Sequence, residues 1–280
     1  MDDAHTFRLA SADGTALHAR HWPARSAHAT LVLVHGFGEH AARYLNMADT
    51  LTAHGVQVVA ADLRGHGRSD GKRGVIGGYD EFRADLAALL GKARSLHEGV
   101  KGPLVLFGHS MGGGLVLDHG LHHPDPGVDG IIASAPLVAL AEPPPRPLEA
   151  LMRGLARLAP KLALPQPIDG TKISTLPDEQ TAYVEDALTH GTLGLKTAVD
   201  MVDTGASLTR DAAQWSLPLL VYHSPQDQLT DYDASRAFCE AARGRFETFE
   251  EVAHEMHHDT SRAAVHTLIL DFIDQLAGRD

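Results

Sequence analysis

A serine framed by glycines stands near the centre of the chain, directly after an apolar run. The stretch Leu104–Gly114 reads LVLFGHSMGGG and contains the pattern G-x-S-x-G at positions 108–112. In this pattern the serine occupies a tight strand-to-helix turn that lifts its hydroxyl clear of a sheet. Glycines are needed there because the turn strains the serine backbone and brings strand and helix close together. The pattern predicts that Ser110 is a nucleophile.

A serine hydroxyl attacks an ester only when a base takes its proton and a third group holds that base. After a turn of this kind the partners follow in the order serine, acid, histidine, each on a loop after a later strand. The predicted strand Leu217–His223 is followed by Asp227, which is therefore the expected acid. Asp231 and Asp233 are alternatives, but their position is more typical of the start of the next helix, where carboxylates are favoured.

The expected base is His254, the first histidine after the predicted strand Phe246–Phe249. His257 and His258 lie close by, and the chain has 19 histidines in all. The position in the loop favours His254 over its two neighbours.

Two backbone N–H groups must stabilise the negative charge that develops on the carbonyl oxygen. One donor is expected from Met111, the residue after the nucleophile. The other is expected from Phe37, in the loop that follows the apolar run Thr30–His35. Both residues would act through the backbone, which leaves their side chains free to shape the acyl site.

The segment that carries His254 also matches H-E-x-x-H, a pattern typical of zinc proteases. That chemistry needs both histidines on one face of a helix, together with a third ligand. Here the match lies on the loop before the last helix and follows a complete serine-hydrolase set. We therefore expect no metal and no cofactor.

Strands must alternate with helices to position these loops, and the sequence shows that alternation. Two short alternating segments, Thr6–Leu9 and Leu17–Trp22, predict a hairpin. Continuous apolar runs predict strands buried on both faces, at Thr30–His35, Val56–Ala61, Gly130–Ala135 and Leu217–His223. The apolar run that begins at Leu104 predicts a further strand before Ser110. Apolar residues at helical spacing predict intervening helices, at Ala41–His54, Asp80–His97, Tyr232–Ala242 and Thr260–Leu276. The fold class is α/β, a mostly parallel sheet flanked by helices.

The alternation is interrupted between Pro136 and Ser207. A proline cluster begins this segment, and a leucine stripe over Leu148–Leu162 then predicts one helix, with Leu151, Leu155 and Leu158 on one side. The stripe could pack a surface helix, or it could cap the serine and touch an apolar substrate. We expect a core over residues 1–136, a helical cap over 137–207 and the rest of the core over 208–280.

Composition limits the partners, the disulfides and the location that can be expected for this chain. The chain has 280 residues, of which 44% are hydrophobic and 21% charged, as in ordinary globular proteins. A net charge of −12 argues against a nucleic-acid partner. The single cysteine, Cys239, excludes an internal disulfide. The acidic amino terminus lacks a secretory pattern, and no apolar stretch approaches the ~20 residues of a membrane span, so the expected location is the cytoplasm.

Three segments together resemble the monoacylglycerol lipase family of α/β-hydrolases: HGFGEH at 35–40, DLRGHGRS at 62–69 and GHSMGG at 108–113. The resemblance covers nearly the whole chain. It implies the α/β-hydrolase fold with an inserted cap, the triad Ser110, Asp227 and His254, and oxyanion donors at Phe37 and Met111. The family usually has a glycine early in the acid turn, where this chain reads His223-Ser224-Pro225.

The expected activity is hydrolysis of single-chain lipid esters, above all monoacylglycerols, as the resemblance implies. Lysophospholipase or broad medium-chain esterase activity is the next hypothesis, followed by cleavage of small amides. A non-catalytic binding module is a further alternative, which the intact set of serine, acid and histidine disfavours. The expected partner is a small lipid ester, with transient membrane or micelle contact through the cap. The oligomeric state stays open.

Overall fold

The computed structural model describes residues 4–279, and its centre is one sheet of eight strands. Within these described residues the strands are β1 (His5–Ala10), β2 (Ala16–Trp22), β3 (Ala29–Val34), β4 (Val56–Ala61), β5 (Leu104–His109), β6 (Gly130–Ser134), β7 (Ala163–Pro165), β8 (Thr192–Gly194), β9 (Leu219–His223) and β10 (Arg245–Thr248). The sheet has the order β1-β2-β4-β3-β5-β6-β9-β10. Strand β2 runs antiparallel to β1 and β4, and the other pairs in this sheet are parallel.

The central strands are buried on both faces because their apolar side chains alternate between two cores. In β3, Val32 and Val34 contribute to one core, whereas Leu31 and Leu33 contribute to the other. Side chains alternate between the faces of a strand, so a continuous apolar run supplies both layers at once. The apolar runs thus predicted the parallel strands correctly.

Helices cover both faces of the sheet. They are α1 (Leu45–Ala53), α2 (Tyr79–His97), α3 (Met111–His122), α4 (Arg146–Leu158), α5 (Gly170–Ile173), α6 (Pro177–Glu185), α7 (Leu195–Asp211), α8 (Tyr232–Ala241) and α9 (Arg262–Leu276). Helices α1 and α9 belong to one core, and α2, α3, α7 and α8 to the other. This arrangement confirms the predicted α/β-hydrolase fold.

Several predicted elements lie where the sequence placed them. The hairpin is formed by β1 and β2, with Leu9 opposite Leu17. The segment predicted as the helix Ala41–His54 begins as a 3-10 turn and continues as α1, which ends before Gly55 at a φ of 82°. Glycine tolerates this left-handed conformation, so it ends the helix as expected.

The segment between β6 and β9 contains α4 to α7 and a small antiparallel pair, β7 with β8. The predicted helix Leu148–Leu162 was wrong at its carboxyl end, since α4 ends at Leu158. Ala159 has left the helical region at φ −137° and ψ 69°, and Pro160 follows it. Proline disfavours helical backbone in the residue before it, which accounts for the early end.

The leucine stripe of α4 does not pack into either core. Leu151, Leu155 and Leu158 are 57%, 37% and 85% exposed, and the buried residue of this helix is Ala156. The hypothesis of a surface helix packed by its leucines is therefore wrong. Contact of the stripe with a substrate stays a prediction.

Helix α7 runs through the predicted boundary after Ser207 and ends at Asp211. Its residues Met201 and Leu208 belong to the same core as α3. The division into core, cap and core stays a prediction. Among residues 4–279, no helix is long and apolar enough to cross a bilayer.

Candidate active site

Ser110 stands in the turn between β5 and α3, with a backbone that non-glycine residues rarely adopt. Its φ is 53° and its ψ is −115°. The turn is held because the Ser110 N–H donates to the Ser134 carbonyl across 2.9 Å, and the Leu137 N–H donates to the Ser110 carbonyl. A Cβ atom at Gly112 would lie only 2.4 Å from the Val34 and His35 carbonyl oxygens. Glycine is therefore required where α3 passes β3, as the sequence pattern predicted.

The loop after β3 lies directly beside this turn. Strands β3 and β5 are neighbours, and Val34 pairs with Gly108. A Cβ atom at Gly36 would lie 3.3 Å from Ser110 Cβ, so the two segments are in close contact. Phe37 follows Gly36 in this loop, and Met111 is the first residue of α3. Both predicted oxyanion donors therefore belong to segments that meet at Ser110.

Asp227 and His254 lie after the adjacent parallel strands β9 and β10 and contact each other. His254 Nδ1 donates to Asp227 Oδ2 at 2.5 Å. Both side chains are almost completely buried. The structure thus pairs the predicted acid with the predicted base.

Asp227 and His254 shift each other's pKa values in opposite directions. Burial disfavours the charged carboxylate, but the charge of His254 and the histidine hydrogen bonds outweigh it and hold the pKa of Asp227 well below its ordinary value. Burial likewise disfavours an imidazolium, but the Asp227 charge and hydrogen bond raise the pKa of His254 above its ordinary value. An imidazolium formed during catalysis would therefore be stabilised.

His254 also lies next to the nucleophile turn. Its ring centroid is 4.6 Å from that of His109, the residue before Ser110. His257 and His258 have other contacts: His257 stacks on Tyr44 at 4.8 Å, and His258 Nδ1 lies 3.3 Å from Glu179. Of the three histidines considered from the sequence, His254 is the one that contacts Asp227.

Two further side chains contact Asp227, and sequence reasoning missed both. His223 Nε2 donates to Asp227 Oδ2 at 2.8 Å, and Thr230 Oγ1 donates to the same oxygen at 2.9 Å. Leu229 N–H donates to the other oxygen at 2.7 Å. His223 ends β9 and is fully buried. The sequence signal that could have indicated the contact of His223 with Asp227 was its position four residues before the acid.

Asp231, an alternative acid, is the N-cap of α8. Its carboxylate accepts from the Ala234 N–H at 2.8 Å. Asp233 lies in the first turn of the same helix. The prediction that these carboxylates mark a helix start is confirmed.

A buried ionic network lies beside the site. Arg43 donates to Glu39 at 2.8 Å and to both oxygens of Glu255 at 2.7 Å. Glu39 also accepts from the Gly36 N–H at 2.6 Å and from the Tyr44 hydroxyl at 2.8 Å. Glu39 therefore connects the Phe37 loop to the 3-10 turn before α1 and, through Arg43, to the loop that carries His254.

Two groups of buried ligand-type side chains occur in the part of the chain described: Glu255 with His257 and His258, and Glu39 with His109 and Glu255. Both groups share Glu255, whose two oxygens already bind the Arg43 guanidinium. A cation there would have to compete with that positive charge. The zinc-protease pattern fails for another reason: residues 256–258 form a 3-10 turn rather than a helix through both histidines.

Comparisons with known proteins identify a family and several relatives of this chain. A family model described as serine aminopeptidase, S33, matches residues 25–261. A monoacylglycerol lipase of Mycolicibacterium smegmatis is 33% identical over 242 residues, which cover 86% of this chain and 85% of that protein. A phospholipase of Bacillus subtilis is 26% identical over 258 residues, with coverage of 91% and 98%. The solved monoacylglycerol lipase of Paleococcus ferrophilus has a TM-score of 0.81 at 28% identity and covers 92% of this chain and 98% of that one.

A strained serine between a central parallel strand and a helix, within this sheet order, defines the class of protein as an α/β-hydrolase. Within that class the chain belongs to the serine aminopeptidase S33 family, in the group that resembles monoacylglycerol lipases.

Proposed function

We propose that this protein is a serine hydrolase that cleaves single-chain lipid esters, above all monoacylglycerols, through an acyl-enzyme on Ser110. The observation that supports the chemistry most directly is the 2.5 Å contact of His254 with Asp227 beside the strained serine turn. The names of the relatives support the substrate class, since a carboxylic ester is what a monoacylglycerol lipase cleaves.

The proposed reaction has two halves. Ser110 Oγ attacks the ester carbonyl carbon while His254 Nε2 accepts the serine proton, and the backbone N–H groups of Phe37 and Met111 stabilise the oxyanion. The bond from carbon to the alcohol oxygen then breaks, and His254 returns the proton to the departing alcohol. Water attacks the acyl-enzyme in the same way, which releases the fatty acid and restores Ser110. The reaction needs no cofactor.

The alternatives differ in the leaving group. The phospholipase relative favours lysophospholipids as a second substrate, and a broad medium-chain esterase is a third possibility. The family description also keeps small amides open, because the same triad cleaves both amides and esters. A non-catalytic module would not need the Asp227–His254 pair.

Helix α4 supports contact with a lipid surface. Its exposed leucines, from Leu148 at 48% to Leu158 at 85%, share the helix with Arg153 and Arg157. An amphipathic helix with an exposed apolar face binds at a membrane interface through that face. We propose transient contact of α4 with micelles or membranes while the leucines guide the acyl chain.

The test combines labelling with a hydrolysis profile. A fluorophosphonate probe should label the wild type but not Ser110→Ala, and kcat should fall by roughly 10⁴–10⁶. Ser207→Ala, at a serine on α7, is the control and should label normally. Monoacylglycerols should be preferred over lysophospholipids, p-nitrophenyl esters and small amides. If Ser110→Ala keeps more than a few per cent of the activity, the mechanism is wrong.

A further inference from the structure

The loop that carries Phe37 is held by a piece of the insertion between β6 and β9. Residues 186–194, here called the clasp segment, follow α6 and include β8. The first contact is a hydrogen bond from the His190 N–H to the Gly38 carbonyl, 2.8 Å long. Gly38 has a φ of 73°, and a Cβ atom there would lie 2.4 Å from the His190 carbonyl oxygen. Glycine at position 38 is therefore required for the clasp segment to approach this loop.

A second contact joins the far end of the same loop to the clasp segment. His40 Nε2 donates to Asp186 Oδ2 at 2.8 Å, and the His40 side chain is 5% exposed. The other oxygen of Asp186 accepts from the Leu188 N–H at 2.8 Å, which fixes the carboxylate within its own turn. The pair joins residues 146 positions apart in the sequence.

The third contact involves the Phe37 side chain itself. Its ring meets the His190 ring edge-on, with centroids 5.5 Å apart, and meets the His66 ring at 5.9 Å. His190 and His66 also contact each other at 4.8 Å. Phe37 is thus packed between the core and the clasp segment, and rotation of its backbone would disturb both contacts.

The clasp segment is in turn fixed to the core. The Gly194 N–H donates to the Gly74 carbonyl at 2.8 Å, and Thr197 Oγ1 donates to the same carbonyl at 3.1 Å. A Cβ atom at Gly74 would overlap the Thr192 carbonyl oxygen. A segment fixed to the core in this way can hold the Phe37 loop in one position.

We propose that the clasp segment holds the Phe37 N–H in position to stabilise the oxyanion, so that Asp186 and His190 are positioning residues for catalysis. The inference rests on the proposed function, since it assumes that Phe37 donates to an ester oxyanion. An oxyanion hole lowers the barrier because its donors are preset, and loss of one donor costs about 10²–10³ in kcat. If the Phe37 N–H is held less firmly but not lost, kcat should fall by only part of that factor.

This role differs from that of the α4 leucines. The clasp contacts involve the Phe37 loop and not an acyl chain, so their loss should slow short and long esters equally. The hydrogen bond from the Phe37 N–H strengthens only as the oxyanion forms. Loss of the clasp contacts should therefore lower kcat while KM stays nearly constant. Binding of a trifluoromethyl ketone, which forms a tetrahedral oxyanion on the serine, should weaken with kcat.

The experiment compares Asp186→Ala and His190→Ala with Asp186→Asn, which keeps an oxygen acceptor for His40. Val184→Ser is the matched control, since Val184 is 66% exposed on α6. Steady-state kinetics on p-nitrophenyl acetate and a long-chain monoacylglycerol are combined with trifluoromethyl ketone inhibition and thermal unfolding. Asp186→Ala and His190→Ala should lower kcat about 5- to 50-fold on both esters, with KM within about twofold. The ketone Ki should rise by a similar factor, whereas Asp186→Asn and Val184→Ser should stay within about threefold of wild type.

Three outcomes would overturn the inference: unchanged kcat in the folded Asp186→Ala and His190→Ala variants, a loss confined to KM, or a loss of kcat with unchanged ketone binding. His190→Ala keeps its backbone hydrogen bond to Gly38, so it provides a folded variant if Asp186→Ala does not fold. Failure of the proposed function would look different, because Ser110→Ala would then retain activity whatever the clasp variants do.

Discussion

His223 donates its Nε2–H to Asp227 Oδ2 across 2.8 Å from a fully buried position at the end of β9. The same oxygen accepts from His254 at 2.5 Å, so two histidines share one carboxylate oxygen. His223 Nδ1 is buried without a hydrogen-bond partner among residues 4–279. The hydrogen bond from His223 Nε2 therefore orients the Asp227 carboxylate.

Removal of this donor should change the pH dependence of the enzyme. His254 must be neutral to accept the serine proton, so kcat/KM falls as the pH falls through its raised pKa. In His223→Leu more of the Asp227 charge acts on His254. The pH at which kcat/KM falls on the acid side, here called the acid limb, should therefore rise by about half a unit to one unit. His223→Gln keeps an N–H donor and should leave the limb within about 0.2 units. An unchanged acid limb in a folded His223→Leu variant would show that His223 does not tune the pair.

The choice of acid is tested by two amide substitutions. Asp227→Asn keeps the shape but favours the wrong tautomer of His254, and kcat should fall by up to about 10⁴-fold. Asp231→Asn keeps an N-cap oxygen for the Ala234 N–H, so kcat should change less than about tenfold. Steady-state kinetics with matched thermal unfolding measure both effects. A larger loss at Asp231 would transfer the role of the acid to that residue.

Acid should destabilise the fold through its buried histidines. Burial holds the pKa of His66, His109 and His257 well below the ordinary value, and that of His119, His190 and His266 at about 4. The unfolded chain binds protons near pH 6.5 and the folded chain does not, so stability is full above pH 6.5 and is lost as the pH falls. Below pH 6.5, each fully buried histidine that stays neutral lowers the free energy of unfolding by about 1.4 kcal/mol per pH unit. The raised pKa of His254 acts in the opposite direction, but the six histidines with lowered pKa values outweigh this one group.

The measurement is the unfolding midpoint between pH 7 and pH 5.5, which should fall by roughly 5–15 °C. His257→Phe is the matched variant, because it keeps a ring against Tyr44 and removes one titrating group. Its midpoint should fall by roughly 2–5 °C less over the same range. A midpoint that does not change between pH 7 and pH 5.5 would contradict the assignment of neutral buried histidines.

The leucine stripe is tested by chain-length selectivity. Each buried CH₂ contributes about 0.8 kcal/mol, so four carbons can change kcat/KM by roughly two orders of magnitude. Leu151→Ser with Leu155→Ser should flatten that profile, with long esters losing most and an acetate ester hardly changing. Both side chains are exposed, so the fold should tolerate the change. Leu164→Ser, at an exposed leucine in β7, is the control. An equal loss on all esters would show that the helix only supports the fold.

The alternation of strands and helices along the chain followed from the sequence alone, as did the choice of Ser110, Asp227 and His254 as candidates. These features are local, because a buried parallel strand is a continuous apolar run and each candidate stands a few residues after such a run. The glycines of the serine turn are equally local, since a Cβ atom at Gly108 would lie 2.2 Å from the Gly112 carbonyl oxygen of the same turn. The hairpin and the N-cap Asp231 follow from neighbouring residues in the same way.

The tertiary structure determines which side chains from distant parts of the sequence contact these residues. The pairs Asp186 with His40 and Arg43 with Glu255 join positions 146 and 212 residues apart, and no local pattern specifies which distant side chain meets a buried charge. The second histidine on Asp227 depends on how the acid turn folds back on β9, although only four residues separate the two. The leucines of α4 have the spacing of a packed helix, yet they are exposed because spacing specifies a common face and not what covers it. Coverage depends on the position of the whole element relative to the sheet, and only the folded chain determines that position.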